Sequence, residues 1–348
     1  MSQTIHIQQQ SSTYPVHIAR DLLGRTGSLV KSKGRVFVIT STALQERFGE
    51  RVASSFAPRA DVITIEEGES HKTLETANAI VTQLLERGAK RDSTAVVVGG
   101  GMIGDTAGFA AAIFLRGIAL VHVPTTLLAQ VDSSLGGKVA VNHPKGKNLI
   151  GAFHPPRAVI ADLAALDSLP RRELLSGMFE ALKGGVIGDP QLYAMFEDRR
   201  MDLAEIVPRA VRVKAEIVSA DEREADVRRL LNYGHTIAHG IETAMSYEGI
   251  THGEAVAWGM IAANAIAVRR GILDKATRAR IDKTILAYEP FELPRTLDRA
   301  AILAATEHDK KNTGDTRVMV LPRMIGKCEI VTDITEDDLE YGISAVLG

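Results

Sequence analysis

Thr94-Ala95-Val96-Val97-Val98-Gly99-Gly100-Gly101-Met102-Ile103-Gly104-Asp105 is the stretch on which the fold turns. A β-branched run enters a glycine cluster without a polar break, and an apolar, alanine-rich segment follows. The first part reads as a buried strand, the last as a helix, and the glycines as the turn between them. Gly99-x-Gly101-x-x-Gly104 is a G-x-G-x-x-G pattern in its strand–turn–helix setting. Glycines there let the backbone approach a pyrophosphate at the positive end of a helix; the alternative is a plain tight turn. The usual companion, an acid ending a strand about 20 residues on, is missing, since Val123-Pro124-Thr125-Thr126 stands there. An acidic cluster occurs earlier, at Glu66-Glu67-Gly68-Glu69, with Lys72 close behind. A carboxylate there can hold a ribose and Lys72 a phosphate, or the segment is a solvated turn. Together these features suggest a dinucleotide bound in a non-standard way.

Around this stretch the first half alternates strands and helices. Arg35–Thr40, Asp61–Ile65, Leu120–Val123 and Ala158–Asp162 read as short buried strands, and Leu74–Arg87 as a helix closed by Gly88. Such alternation implies a parallel sheet covered by helices on both faces. Residues 142–148 (NHPKGKN) read as a basic loop. After Leu169-Pro170 the pattern turns helical, with segments near 171–187, 203–220, 226–246, 252–270 and 274–288, and Thr335-x-x-Asp338 reads as a capping box opening a last helix. The expectation is α/β: a Rossmann-like parallel-sheet domain over 1–168 and an all-α domain over 169–348.

Composition narrows the function. A chain of 348 residues fits two domains, and 45% hydrophobic with 24% charged residues is the balance of a soluble globular protein. The net charge of -2 and dispersed basic residues give no reason to expect nucleic acid. No apolar run approaches the ~18 residues of a membrane span, the start lacks a secretory pattern, and Cys328 is alone. These features place the expected site of action in the cytoplasm.

The second half carries a polar constellation. His235 and His239, at i and i+4, share a helix face; such a pair ligates zinc or simply packs in a core. His252-Gly253-Glu254 and Glu180-x-x-Lys183 add donors that helices can turn toward one divalent ion. Lys138, Lys147, Lys183, Lys214, Arg228 and Lys310 sit in or beside glycine-rich or apolar stretches, with Asp132 as a matching acid. Each alone is an ordinary solvated charge; converging, they would suit a carboxylate or phosphate.

These segments in this order resemble the 3-dehydroquinate synthases, a branch of the sugar-phosphate cyclases, over nearly the whole chain. The likeness rests on Glu67-Gly68-Glu69-x-x-Lys72, Gly99–Asp105, Arg116-Gly117, the run Pro124–Ser134, Gly136-Gly137-Lys138 and Gly146–Gly151. It continues through Glu180-x-x-Lys183, Asn232-x-Gly234-His235-Thr236-x-x-His239, His252–Val256 and Asp309-Lys310-Lys311.

The resemblance implies Glu180, His235 and His252 as ligands of Zn2+ or Co2+. It implies NAD contacts at Glu67, Gly68, Glu69, Ser70, His71 and Lys72, at Gly99, Gly100, Gly101, Met102, Ile103, Gly104 and Asp105, and at Thr125, Thr126, Lys138, Lys147, Ala165, Leu166, Asp167 and Ser168. Asp132, Lys138, Asn148, Lys183, Lys214, Arg228, Asn232, His239 and Lys310 would hold substrate, and Arg116 would reach across a homodimer interface. The implied reaction converts 3-deoxy-D-arabino-heptulosonate 7-phosphate to 3-dehydroquinate and phosphate. Three positions depart from the common pattern: Gly184-Gly185 follows Lys183, which leaves local flexibility open, Ser41 stands where relatives often carry Asp, and Ser168 replaces Thr. A sibling cyclase, a metal-dependent polyol dehydrogenase and a non-catalytic NAD-binding module are the competing readings.

Overall fold

The computed structural model describes residues 2–307 and 317–348. The chain divides into two compact units, Met1–Leu169 and Pro170–Gly348. The first contains strands β1 (Gln3–Gln8), β2 (Thr13–Ala19), β3 (Val36–Ser41), β4 (Asp61–Ile65), β5 (Thr94–Gly99), β6 (Ala119–Pro124), β7 (Lys138–His143), β8 (Gly146–Phe153) and β9 (Ala158–Asp162). Its helices are α1 (Thr26–Leu29), α2 (Glu50–Ala53), α3 (Leu74–Glu86) and α4 (Gly101–Ile113).

Seven strands form one sheet in the order β1-β2-β9-β6-β5-β3-β4, antiparallel between β1 and β2 and parallel elsewhere. β3 and β5 are buried along their whole length, as continuous β-branched runs must be when helices cover both faces. Alternate residues divide between two cores. Phe37, Ile39, Ala95 and Val97 pack with Ile80, Leu84 and Ala107, whereas Val36, Val38, Val96 and Val98 pack with Val52 and Phe56. The five strands expected from the sequence are all present and parallel, and β1 and β2, which were not expected, add an antiparallel edge.

Residues 142–148 differ from expectation. They belong to an antiparallel hairpin, β7–β8, whose register shifts between Val141 and His143. The turn formers occupy its tip, and a strand of only six residues on one side gave the alternation little length to show.

His122 lies inside this unit on β6, 5% exposed. Burial, helped by the neighbouring charge of His154, lowers its pKa to about 4. The folded chain therefore keeps this imidazole neutral, while the unfolded chain binds a proton below about pH 6.5. Stability should fall as pH drops from about 6.5 to about 4, by up to ~3 kcal/mol from this group. His122→Gln is expected to have a shallower acid limb than wild type in urea melts compared at about pH 7.5 and about pH 5; an unchanged limb would show that other groups dominate.

The second unit is built from α5 (Arg171–Ile187), α6 (Pro190–Glu197), α7 (Leu203–Ala220), α8 (His235–Ala244), α9 (His252–Arg269), α10 (Lys275–Leu286), α11 (Arg299–Glu307) and α12 (Glu336–Leu347). It is rich in helix, as expected, and carries one addition, the hairpin β10 (Met319–Met324)–β11 (Lys327–Val331). The capping box at Thr335 and Asp338 is present. The helix expected over 226–246 is broken into a 3-10 turn, Val227–Asn232, and α8. Gly234 causes the break: its φ is 83°, and a Cβ there would stand 2.9 Å from the Met260 nitrogen. α5 runs unbroken through Gly184-Gly185. A Cβ on Gly185 would lie 2.8 Å from the backbone nitrogen of Tyr193, so this glycine lets α6 pack closely against α5. Among the described residues no helix is long and apolar enough to cross a membrane.

Candidate active site

In the first unit β4 and β5 lie on opposite sides of β3, and open sheets with such a reversal take their ligands at the carboxyl ends of the strands. Gly100 is the extended N-cap of α4, with no side chain capping the helix, so first-turn amides are available to an anion. The turn after β4 carries Glu67 and Gly68, the latter at φ 108°. Ser41, at the end of β3, donates a hydrogen bond to Glu67. A serine thus supports the acid that follows the neighbouring strand.

Lys72 is buried and joins this turn to the β7–β8 hairpin. Its ammonium contacts Asp105 at 2.6 Å and Asn148 at 2.5 Å. Asn142 donates to Glu69 at 2.8 Å, and its backbone nitrogen donates to the Lys72 carbonyl. Lys147 stands 3.9 Å from Glu69. Burial raises the Asp105 pKa against the pull of Lys72, and the nearby carboxylates of Glu69 and Asp132 push it further up. Lys72, Asp105, Asn148 and Asp132 are therefore one electrostatic cluster, drawn from four separate segments.

The remaining first-unit residues fall at the same ends of the strands. Thr125 is bonded to the Gly99 carbonyl. Thr126 accepts from the Ala129 amide and Lys138 opens β7. Ala165 and Leu166 are buried, Ser168 is half-buried, and the exposed Asp167 pairs with Arg20. Arg116 is different. It lies before β6, in a left-handed turn with φ 69°, at the opposite end of that strand from Thr125. Some 17 Å of strand, at ~3.3 Å per residue, separates the two ends.

In the second unit Glu180, His235 and His252 come together: one ligand atom from each lies within 4.8 Å of the others. Glu180 is 4% exposed on α5, His235 opens α8 because Gly234 stops the preceding turn, and His252 opens α9 after the Thr251 cap. Glu180 Oε1 stands 3.6 Å from His235 Nε2 and 3.4 Å from His252 Nε2. Two atoms each ~2.05 Å from a tetrahedral ion stand about 3.3 Å apart, so the set fits a single zinc-sized cation. Burial opposes charge on His252, but the carboxylates of Glu242 and Glu180 outweigh it and raise the imidazole to about 10.

His239 is exposed and outside this trio, its ring 5.5 Å from that of His235 and 6.2 Å from that of His252. Of the two histidines spaced for chelation, only His235 joins the group. Lys183 is 2% exposed, 2.5 Å from Glu180 Oε2, and donates to the Leu231 carbonyl at 2.8 Å. Arg228 is buried and donates to the Glu222 carbonyl, Asn232 donates to Glu224 at 2.6 Å, and Lys214 is buried on α7. Lys310 lies outside the described residues. Asn142, Glu224 and Glu242 also border these groups without any motif in the sequence that nominates them. For Glu242 spacing alone is a signal, since it follows His235 by seven residues, two turns along the same face.

A parallel sheet whose strand order reverses at β3 and a Glu-His-His group on a helical unit define the class, a nucleotide-dependent metalloenzyme. The family follows from comparison. Residues 62–176 match the model of the 3-dehydroquinate synthase N-terminal domain and residues 177–312 that of the C-terminal domain, and the chain belongs to this family. A 3-dehydroquinate synthase of Desulforamulus reducens is 39% identical over 97% of this chain and 98% of its own. Among solved structures, a 2-deoxy-scyllo-inosose synthase complexed with carbaglucose-6-phosphate, NAD+ and Co2+ superposes with TM-score 0.86 at 29% identity, over 98% and 99% of the two chains. A 2-epi-5-epi-valiolone synthase from Streptomyces hygroscopicus, with NAD+ and Zn2+ bound, gives TM-score 0.87 at 27% identity, over 96% and 97%.

Proposed function

We propose that the chain converts 3-deoxy-D-arabino-heptulosonate 7-phosphate to 3-dehydroquinate and phosphate, using NAD+ and a divalent ion, Zn2+ or Co2+, as a cytoplasmic homodimer in the pathway to chorismate and the aromatic amino acids. Near-full-length identity of 39% to a 3-dehydroquinate synthase carries this reading. When bound, the ion acidifies a substrate hydroxyl and NAD+ takes up and later returns a hydride.

The chain's own residues do the rest. In this reading Glu180, His235 and His252 hold the ion and leave a position for substrate oxygen. Lys183, Lys214, Arg228 and Lys310 neutralise the anionic groups, and Asn232 helps to orient them by hydrogen bonding. Asp132, Lys138 and Asn148 bind polar substrate groups, and His239, the exposed histidine, holds a hydroxyl or moves a proton. Glu67–Lys72, Gly99–Asp105, Thr125, Thr126, Lys147 and Ala165–Ser168 receive the dinucleotide.

The nearest competitor is a sibling cyclase acting on a sugar phosphate without a carboxylate. Arg228, Asn232 and His239, present here as in the 3-dehydroquinate synthases, favour a substrate that carries one. Phosphate release separates the readings: it is expected from the heptulosonate phosphate, only with NAD+ present, and not from glucose 6-phosphate. Release from glucose 6-phosphate alone would transfer the chain to the sibling activity.

A further inference from the structure

Beside the trio lies a buried carboxylate, Glu242, that the chemistry above does not use. Glu242 is 5% exposed and sits in the last turn of α8, where the helix dipole disfavours negative charge. Burial and dipole both weigh against an acid at this position, so its surroundings must compensate. Its Oε1 lies 3.4 Å from His252 Nδ1, at the long end of hydrogen-bonding range.

The rest of the geometry is directional. His252 turns Nδ1 to Glu242 and Nε2 to Glu180, at 3.4 Å on each side. His235 repeats the arrangement with a different acceptor. Its Nδ1 faces the Tyr233 carbonyl at 3.3 Å while its Nε2 faces Glu180. The Tyr233 hydroxyl, donating to Asn264 beneath a fully buried ring, anchors that carbonyl in turn. Both imidazoles thus have an acceptor at Nδ1 and present Nε2 to the same carboxylate oxygen.

We propose that Glu242 is a positioning residue for the metal centre, fixing the Nδ1–H tautomer and ring orientation of His252 so that Nε2 is the ligating atom. A carboxylate on the far nitrogen also makes the imidazole a stronger donor, and loss of such a partner weakens metal affinity by about 10–100-fold. The proposal rests on the metal reading of Glu180, His235 and His252, and the test separates the two.

Zn2+ affinity of purified apoprotein is measured by chelator competition, with folding followed by far-UV circular dichroism. Glu242→Leu is expected to bind Zn2+ about 10–100-fold more weakly than wild type. Glu242→Gln, which keeps an acceptor oxygen but loses the charge, should fall between them. His252→Ala should lose binding outright, which reports on the trio alone. Wild-type affinity in folded Glu242→Leu would overturn the positioning role and leave the trio standing; retained binding in His252→Ala would instead remove the trio itself. Nitrogen-15 spectra of the Zn2+-loaded wild type, which do not depend on any variant folding, should show His252 protonated at Nδ1. A proton at Nε2 would also overturn the proposal.

Discussion

Purified Glu180→Ala and His252→Ala are expected to lose their metal, falling to less than about a tenth of an equivalent at low micromolar zinc, while His239→Ala stays near one equivalent. The argument is geometric. A catalytic zinc site needs about three protein ligands to hold the ion while leaving a position open, and the atoms within bridging distance come from Glu180, His235 and His252. Removing one leaves two donors, and in Glu180→Ala also removes the carboxylate that both imidazoles face. His239 has the spacing of a ligand but lies outside the trio, so its loss should slow turnover without emptying the site. Mass-spectrometric metal content on the three proteins decides the matter. An empty His239→Ala beside a full His252→Ala would mean that the i, i+4 pair is the chelate.

The second large effect concerns Arg116. It stands at the far end of β6 from the residues assigned to the dinucleotide, in an exposed left-handed turn. A cation so placed lies far from those residues in its own unit, and in the proposed homodimer it would serve the neighbouring copy. Arg116→Ala and Lys183→Ala should each be nearly inactive. In a homodimer with shared sites, exchanging subunits at equal concentration should restore about a quarter of wild-type activity, because half the dimers are mixed and each has one complete site. Verified exchange with no recovery would place Arg116 in some other role.

Legibility of the sequence followed the range of the interactions. β3 and β5 were readable because a β-branched run buried on both faces leaves a local mark, and α7 because its apolar positions recur at helical spacing. The break at Gly234 was not readable. A glycine within a helical pattern is tolerated at a cost of about 1 kcal/mol, and what decides here is the approach of Met260. α6 had a signal that was passed over, Asp189 as N-cap followed by Pro190. The hairpins β7–β8 and β10–β11 are short, and a register shift disturbs the alternation of each.

The site divides along the same line. Spacing nominated His235 and His239, adjacent on one helix face, and the fold kept only the first. Glu180 lies 55 positions before His235 and His252 lies 17 after it, separations at which no periodicity operates, so only tertiary packing or family resemblance could join them. The lysine cluster behaves likewise. Lys72, Asp105 and Asn148 meet through a turn, a helix and a hairpin, and no local pattern announces that contact.

The most direct measurement follows phosphate, dehydroquinate and NADH in one reaction started from the heptulosonate phosphate and NAD+. A cofactor that takes a hydride and returns it within each turnover leaves no net NADH. Phosphate and dehydroquinate should therefore rise in equal amounts while NADH absorbance stays flat over many turnovers. NADH accumulating in step with product would contradict the cyclase reading and make the chain a dehydrogenase.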